Sequence, residues 1–175
     1  MRLVGERAGV SLKTVELLFG TKGRLLEAAL DYAIRGDAAK VQMPQRPAIR
    51  EMEAAPDAQS MLNLHAAHLR TVNERSAQLA AIVEQGAGAD DTLDELWRRM
   101  NHNRNFGINW ATRTLLSKNE RKPGLTERDV AATFWVALAW GTYRTLTQQA
   151  GLSADEFETW LRRYYTDALV VSRPR

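Results

Sequence analysis

Cysteine is absent from the 175 residues, which excludes disulfides, thiolate metal sites and cysteine nucleophiles. No apolar run approaches the ~20 residues that span a bilayer. The N-terminus lacks the basic-then-apolar layout of a secretion signal. Alternating runs closed by Asn-Gly or Asp-Gly turns, the mark of hairpins, are also missing. Neither sign of charge dominates: 24 Lys+Arg stand against 21 Asp+Glu, a formal +3. Any contact with nucleic acid must therefore come from local placement of charge. No Ser/His/Asp set, Gly-rich phosphate loop or HExxH motif occurs, so no enzyme activity is expected and no cofactor is called for. The acidic cluster Asp90, Asp91, Asp94 and Glu95 sits where a helix begins and suits the helix dipole. Together these features favour a cytoplasmic protein without a membrane segment.

What the chain has in abundance is helical periodicity. A first piece runs from about Leu3 to Ala8 and stops at Gly9. Ser11 then caps a helix carrying Val15, Leu18 and Phe19, and Gly20 ends it. Thr21 caps the next, whose apolar stripe runs from Leu25 to Ala33 before Gly36. Asp37 to Pro56, with three prolines, reads as a linker holding at most a short helical turn. Asp57 caps a helix that continues, with or without a kink at Ser76, to about Gln85. Gly86 to Asp91 is a loop ending in N-cap candidates, and a long helix follows from about Thr92 to Lys118. Thr126 with Asp129, and Ser153 with Glu156, make capping-box starts for helices to about Ala150 and Val171. The expected fold is all-α.

The first third carries the sharpest motif. Two short helices about Gly9 fit a helix-turn-helix, because glycine permits a backbone turn that a Cβ opposes. Val4, Ala8, Val10, Val15 and Phe19 can face inward. Ser11, Leu12, Lys13, Thr14, Glu16 and Leu17 then lie on the exposed N-terminal part of the second helix, the part that enters a DNA major groove. Lys22 opens the third helix, where its ammonium and the backbone N–H groups can meet a phosphate. From Met1 to Gly36 six basic residues (Arg2, Arg7, Lys13, Lys22, Arg24, Arg35) face four acidic ones (Glu6, Glu16, Glu27, Asp31).

"VGERAGVSLKTVELLFGTKGRLLEAAL", Val4 to Leu30, resembles the DNA-binding head of the TetR family of transcriptional regulators. The resemblance rests on Ala8, Gly9, Val10, Ser11, Thr14, Val15, Phe19, Lys22, Leu25 and Leu26, about a sixth of the chain. It departs at Glu16, where the family mostly has a tyrosine that reaches a phosphate; a carboxylate there is repelled. Glu16 can instead accept from a cytosine amino group or pair with Lys13. The family's head has three helices, and the first precedes the pair seen here. The resemblance thus implies a shortened head with Val4, Val10, Leu18 and Phe19 partly exposed. Residues 1–36 would form this incomplete head with its connecting helix, and 37–175 an effector-binding and dimerisation domain.

For the body, the resemblance implies a pocket for a small effector. Aromatic walls with a few polar groups suit an apolar or aromatic ligand, and the candidate lining is Met61, His65, His68, Leu69, Trp97, Asn101, Asn103, Phe106, Trp110, Phe134, Trp135 and Thr142. His65 and His68 lie three apart on one helical face, but no third ligand has matching spacing, so no metal is expected. Ala137, Gly141 and Thr145 are small residues four apart, with Phe134, Leu138, Trp140, Tyr143 and Leu146 around them. Phe157, Trp160, Leu161, Tyr164, Ala168 and Leu169 form a broad apolar face. These last two helices are the expected dimer surface, making a four-helix bundle across a two-fold axis. The expected function is a homodimeric repressor of a palindromic DNA operator, released by its effector. The alternative is a ligand-binding or scaffolding dimer that has lost DNA recognition.

Overall fold

The computed structural model of the chain describes residues 1–39 and 41–171. Its helices in order are α1 (Arg2–Ala8), α2 (Leu12–Phe19), α3 (Lys22–Arg35), α4 (Pro47–Ala54), α5 (Ala58–Gly86), α6 (Asp91–Leu116), α7 (Glu127–Ala137), α8 (Trp140–Arg144) and α9 (Ala154–Leu169). A 3-10 turn, Met43–Gln45, precedes α4, and a π-helical turn, Thr145–Gln149, extends α8. Among the described residues the β-type pairing is confined to one bridge, Arg121 with Val170. The all-α expectation holds.

Side-chain caps set most of the helix starts. The Ser11 hydroxyl accepts from Thr14 N at 3.0 Å, Thr21 from Arg24 N at 3.2 Å, Asp57 from Ser60 N at 2.7 Å and Asp90 from Leu93 N at 3.0 Å. Full capping boxes open α7 (Thr126, Asp129) and α9 (Ser153, Glu156). Each such cap contributes ~1 kcal/mol by satisfying N–H groups that the helix leaves free.

Two expectations about elements need correction. The 37–56 segment is more than a linker: Pro47 occupies the first turn of α4, where its missing N–H is no loss. Ile49 and Met52 of that helix are buried. The helix expected from Thr126 to about Ala150 is broken at Leu138 and Ala139. There the chain leaves α7 and restarts as α8, and the Thr142 hydroxyl closes the corner by donating to the Val136 carbonyl at 2.7 Å. The helix after Asp57, by contrast, runs unbroken through Ser76.

Two apolar clusters form the core. The larger joins Ile49 and Met52 of α4, the first half of α5, the second half of α6, Phe134 and Ala137 of α7, and Phe157, Leu161, Tyr165 and Leu169 of α9. The smaller joins Leu30 of α3, Ala80 and Val83 of α5, and Leu96 and Met100 of α6. Opposite halves of α5 and α6 thus share each cluster, as antiparallel neighbours do. Lys118 clasps α4 to α6 by donating to the carbonyls of Glu53 (2.7 Å) and Ala55 (2.6 Å). The substantial packing of α1 is on α2, that of α2 on α1 and α3, and α3 lies along α5.

Candidate functional site

The N-terminal pair is held by a close approach. Gly9 adopts φ 68° and ψ 26°, a left-handed conformation open to glycine at no steric cost. A Cβ at Gly5 would lie 2.8 Å from the Val10 carbonyl oxygen and 3.4 Å from Val15 Cγ2. Only a glycine lets α1 sit this near α2. Val15, 3% exposed, is the apolar contact between them. Leu12, Lys13, Glu16 and Leu17 face outward, Leu17 at 85% exposure. Ser11 and Thr14 bond each other, hydroxyl to hydroxyl, at 2.8 Å.

Val4 and Val10, which could pack inward or stand partly exposed, are exposed, and Ala8, expected to face inward, is exposed too. Leu18 is 70% exposed and Phe19 half-buried. Arg2 pairs with Glu6 at 3.6 Å. Among the described residues Arg7, Lys13, Lys22, Arg24 and Glu16 form no ion pair, so four cations and one carboxylate are left for other partners. Lys22 is exposed at the first position of α3.

Between the two core clusters lies a cavity of about 430 Å³, within the range of small-molecule sites. The middle of α5 supplies His65, His68, Leu69, Val72 and Asn73. The middle of α6 supplies Met100, Asn103, Arg104, Phe106, Gly107 and Trp110. The C-terminal half of α3 supplies Leu30, Asp31, Ile34 and Arg35, with Trp140 from α8. His65 Nδ1 lies 2.7 Å from the Tyr165 hydroxyl. This contact ties the ring of α5 to α9 and holds it in one orientation. Burial, and secondarily the charge of His68, lowers the His65 pKa to about 3. Burial also lowers that of His68, helped by Arg75 and Arg46. Burial thus favours the neutral form of both rings, and Arg35, Arg99 and Arg104 bring guanidinium groups to the walls. Burial lowers the Arg104 pKa as well, against the opposing pull of Glu84. Trp110 Nε1 donates to Glu53 at 2.8 Å, fixing one aromatic wall.

Of the expected ligand residues, the structure brings His65, His68, Leu69, Asn103, Phe106 and Trp110 to the cavity. Met61 is corrected: it is fully buried one turn before His65, packed inside the larger core cluster. Phe134 is core for the same reason. Trp97 packs on the smaller cluster with its ring 6.2 Å from that of Trp140, and the Asn101 amide turns back to the Trp97 carbonyl at 2.9 Å. Trp135 is on the exposed side of α7, and Thr142 is engaged at the α7–α8 corner.

Three of the expected dimer residues are corrected too. Ala137, Phe157 and Leu161 are fully buried within their own chain, because α9 packs along α5 and α7. Trp140 turns to the cavity. Gly141 is exposed with open space where a Cβ would point, and Trp160 and Tyr164 stay half-buried, stacked at 5.2 Å and 9° over an open surface groove. Among the described residues no helix is long and apolar enough to cross a membrane, and no group of three or more His, Asp or Glu could hold a metal. Compared with known proteins, the chain matches no family model, no curated protein and no solved structure.

Among the wall residues the sequence did not single out are Asn73, Arg99, Arg104 and the α3 face. Arg104 follows Met100 by four positions and precedes Ile108 by four, so a cation falls on the buried stripe of α6. That mismatch was a readable signal.

Proposed function

We propose that this protein is a TetR-like DNA-binding transcription regulator whose affinity for DNA responds to a small molecule in the body cavity. The observation that carries the reading is the division of α2. Val15 is locked against Gly5, while Leu12, Lys13, Glu16 and Leu17 project outward beside unpaired Lys22. A helix braced behind and bare in front is what major-groove entry requires. The free cations on the same head suit phosphate contact. The head also has a mechanical link to the cavity. At its start α3 bears Lys22 and packs Gly23 on Thr92 of α6; at its end it lines the cavity with Leu30, Asp31 and Ile34. A ligand that moves α3 moves the DNA-contacting helix, and a coupling of ~1–3 kcal/mol suffices for regulation. Two heads are joined through the outer faces of α7 and α9, around Trp160 and Tyr164, to read a palindrome.

The test is selection of binding duplexes from a random-sequence pool, followed by gel shift of the selected DNA. Sequence-specific retardation that weakens with salt supports the reading; no enrichment of any sequence overturns it. A second reading, a ligand-binding helical dimer without DNA recognition, draws support from Glu16. Its carboxylate is exposed and unpaired on the face assigned to DNA, where phosphates repel it. Ligand binding with no selected duplex would choose this second reading.

A further inference from the structure

The charges around the cavity are unevenly matched. Three arginines and one aspartate line it. Arg35 is paired with Asp31 at 2.6 Å, and Arg99 with Glu27 at 2.5 Å. Arg104 has no carboxylate partner among the described residues. Glu84, the acid that acts on it electrostatically, is bonded to Arg144 at 3.2 Å. The Arg104 guanidinium lies over two indole faces instead, 4.9 Å from the Trp135 ring centroid and 5.8 Å from that of Trp140. Its Nε is buried without an acceptor. A donor left in this state costs free energy until something accepts from it. The same cavity is lined by His65, whose Nδ1 is engaged by the Tyr165 hydroxyl at 2.7 Å.

We infer that the cavity takes an organic anion: a carboxylate on an apolar or aromatic body, its carboxylate held by Arg104 and its body against Phe106, Trp110 and Trp140. This deepens the ligand half of the proposed function and rests on it. The unmatched wall group, Arg104, is a cationic donor, so a carboxylate supplies what the site lacks. The planar guanidinium fork matches its two oxygens. A cationic ligand would meet Arg104 as a like charge, and a neutral one would leave the fork unfilled.

Matched probes test the inference on the whole chain, without DNA: octanoate against octanamide, and 4-phenylbutyrate against 4-phenylbutyramide. Binding is read by tryptophan fluorescence, since Trp110 and Trp140 line the cavity. Each carboxylate is expected to bind about tenfold or more tighter than its amide. Arg104→Gln is expected to abolish the difference, and Arg104→Lys, which keeps the charge and loses the fork, to retain part of it. Thermal melts confirm that each variant is folded; if Arg104→Gln is not, the Arg104→Lys comparison decides. Equal binding of acid and amide by the wild-type protein, or a preference that survives in a folded Arg104→Gln, overturns the anion and leaves the ligand cavity standing. Failure of all four probes to bind overturns both.

Discussion

Replacing His65 by glutamine should flatten the acid limb of the stability curve. His65 is buried beside Phe134 and Tyr165, and its folded pKa, about 3, lies well below the ordinary 6.5. The fold therefore prefers the neutral ring. Above pH 6.5 neither the folded nor the unfolded chain carries this proton, and the contribution is constant. Below 6.5 the unfolded chain takes it up while the folded chain does not. Stability then falls by ~1.36 kcal/mol per pH unit until the folded value is reached. At pH 5 the loss from this one ring is about 2 kcal/mol, a large fraction of the ~5–15 kcal/mol typical of a domain. Urea denaturation at pH 7.5 and pH 5.0 measures it. The wild-type protein should lose about 2 kcal/mol more between the two than His65→Gln does. His68 and the capping carboxylates titrate in both proteins and cancel from the comparison. Equal losses in the two would refute the assignment of a buried, neutral His65 bonded to Tyr165.

Other perturbations separate the head from the body. Lys22→Ala should weaken DNA binding evenly across sequences and lower the salt slope of log K by about 0.9 in gel shifts. Glu16→Gln should tighten binding, most at low salt, because it removes an unpaired carboxylate from the face proposed to meet DNA. Gly5→Ala should loosen α1 from α2, since its Cβ meets the Val10 carbonyl at 2.8 Å; faster amide exchange in α1 and α2, with exchange in α5 unchanged, would report it. Paired Trp160→Ala and Tyr164→Ala changes should shift sedimentation toward monomer without a large loss of melting temperature, because both rings are half-buried rather than core.

The helix starts were legible because capping is local chemistry: Ser11, Thr21, Asp57, Thr126 and Ser153 each signal within three or four residues. α4 was hidden because its N-cap, Arg46, makes no side-chain cap bond, and three prolines suggested irregular chain. The α7–α8 break was hidden because apolar spacing runs straight through Leu138 and Ala139, and the corner depends on a bond between residues six apart. The face periodicity of α7 and α9 told which side is apolar but not what covers it. Phe157 and Leu161 consequently looked like a subunit contact and are interior. The aromatic and histidine residues of the cavity on α5 and α6 could be found by composition, whereas Arg104 and the residues on α3 were not. The place of the α3 residues in the wall comes from how α3 lies along α5, a tertiary fact.

Because α1 and α2 are seated on the rest of the molecule chiefly through α3, the portion proposed to face DNA and the portion that lines the cavity meet at a single seam. Splicing a different pair of leading helices onto the chain at Thr21 would keep α3 on α5, Gly23 on Thr92 and Leu30 in the wall. On the proposed reading, such a graft would inherit the responsiveness of this body while taking its operator from the donor, which would make the seam a natural point for recombination between regulators.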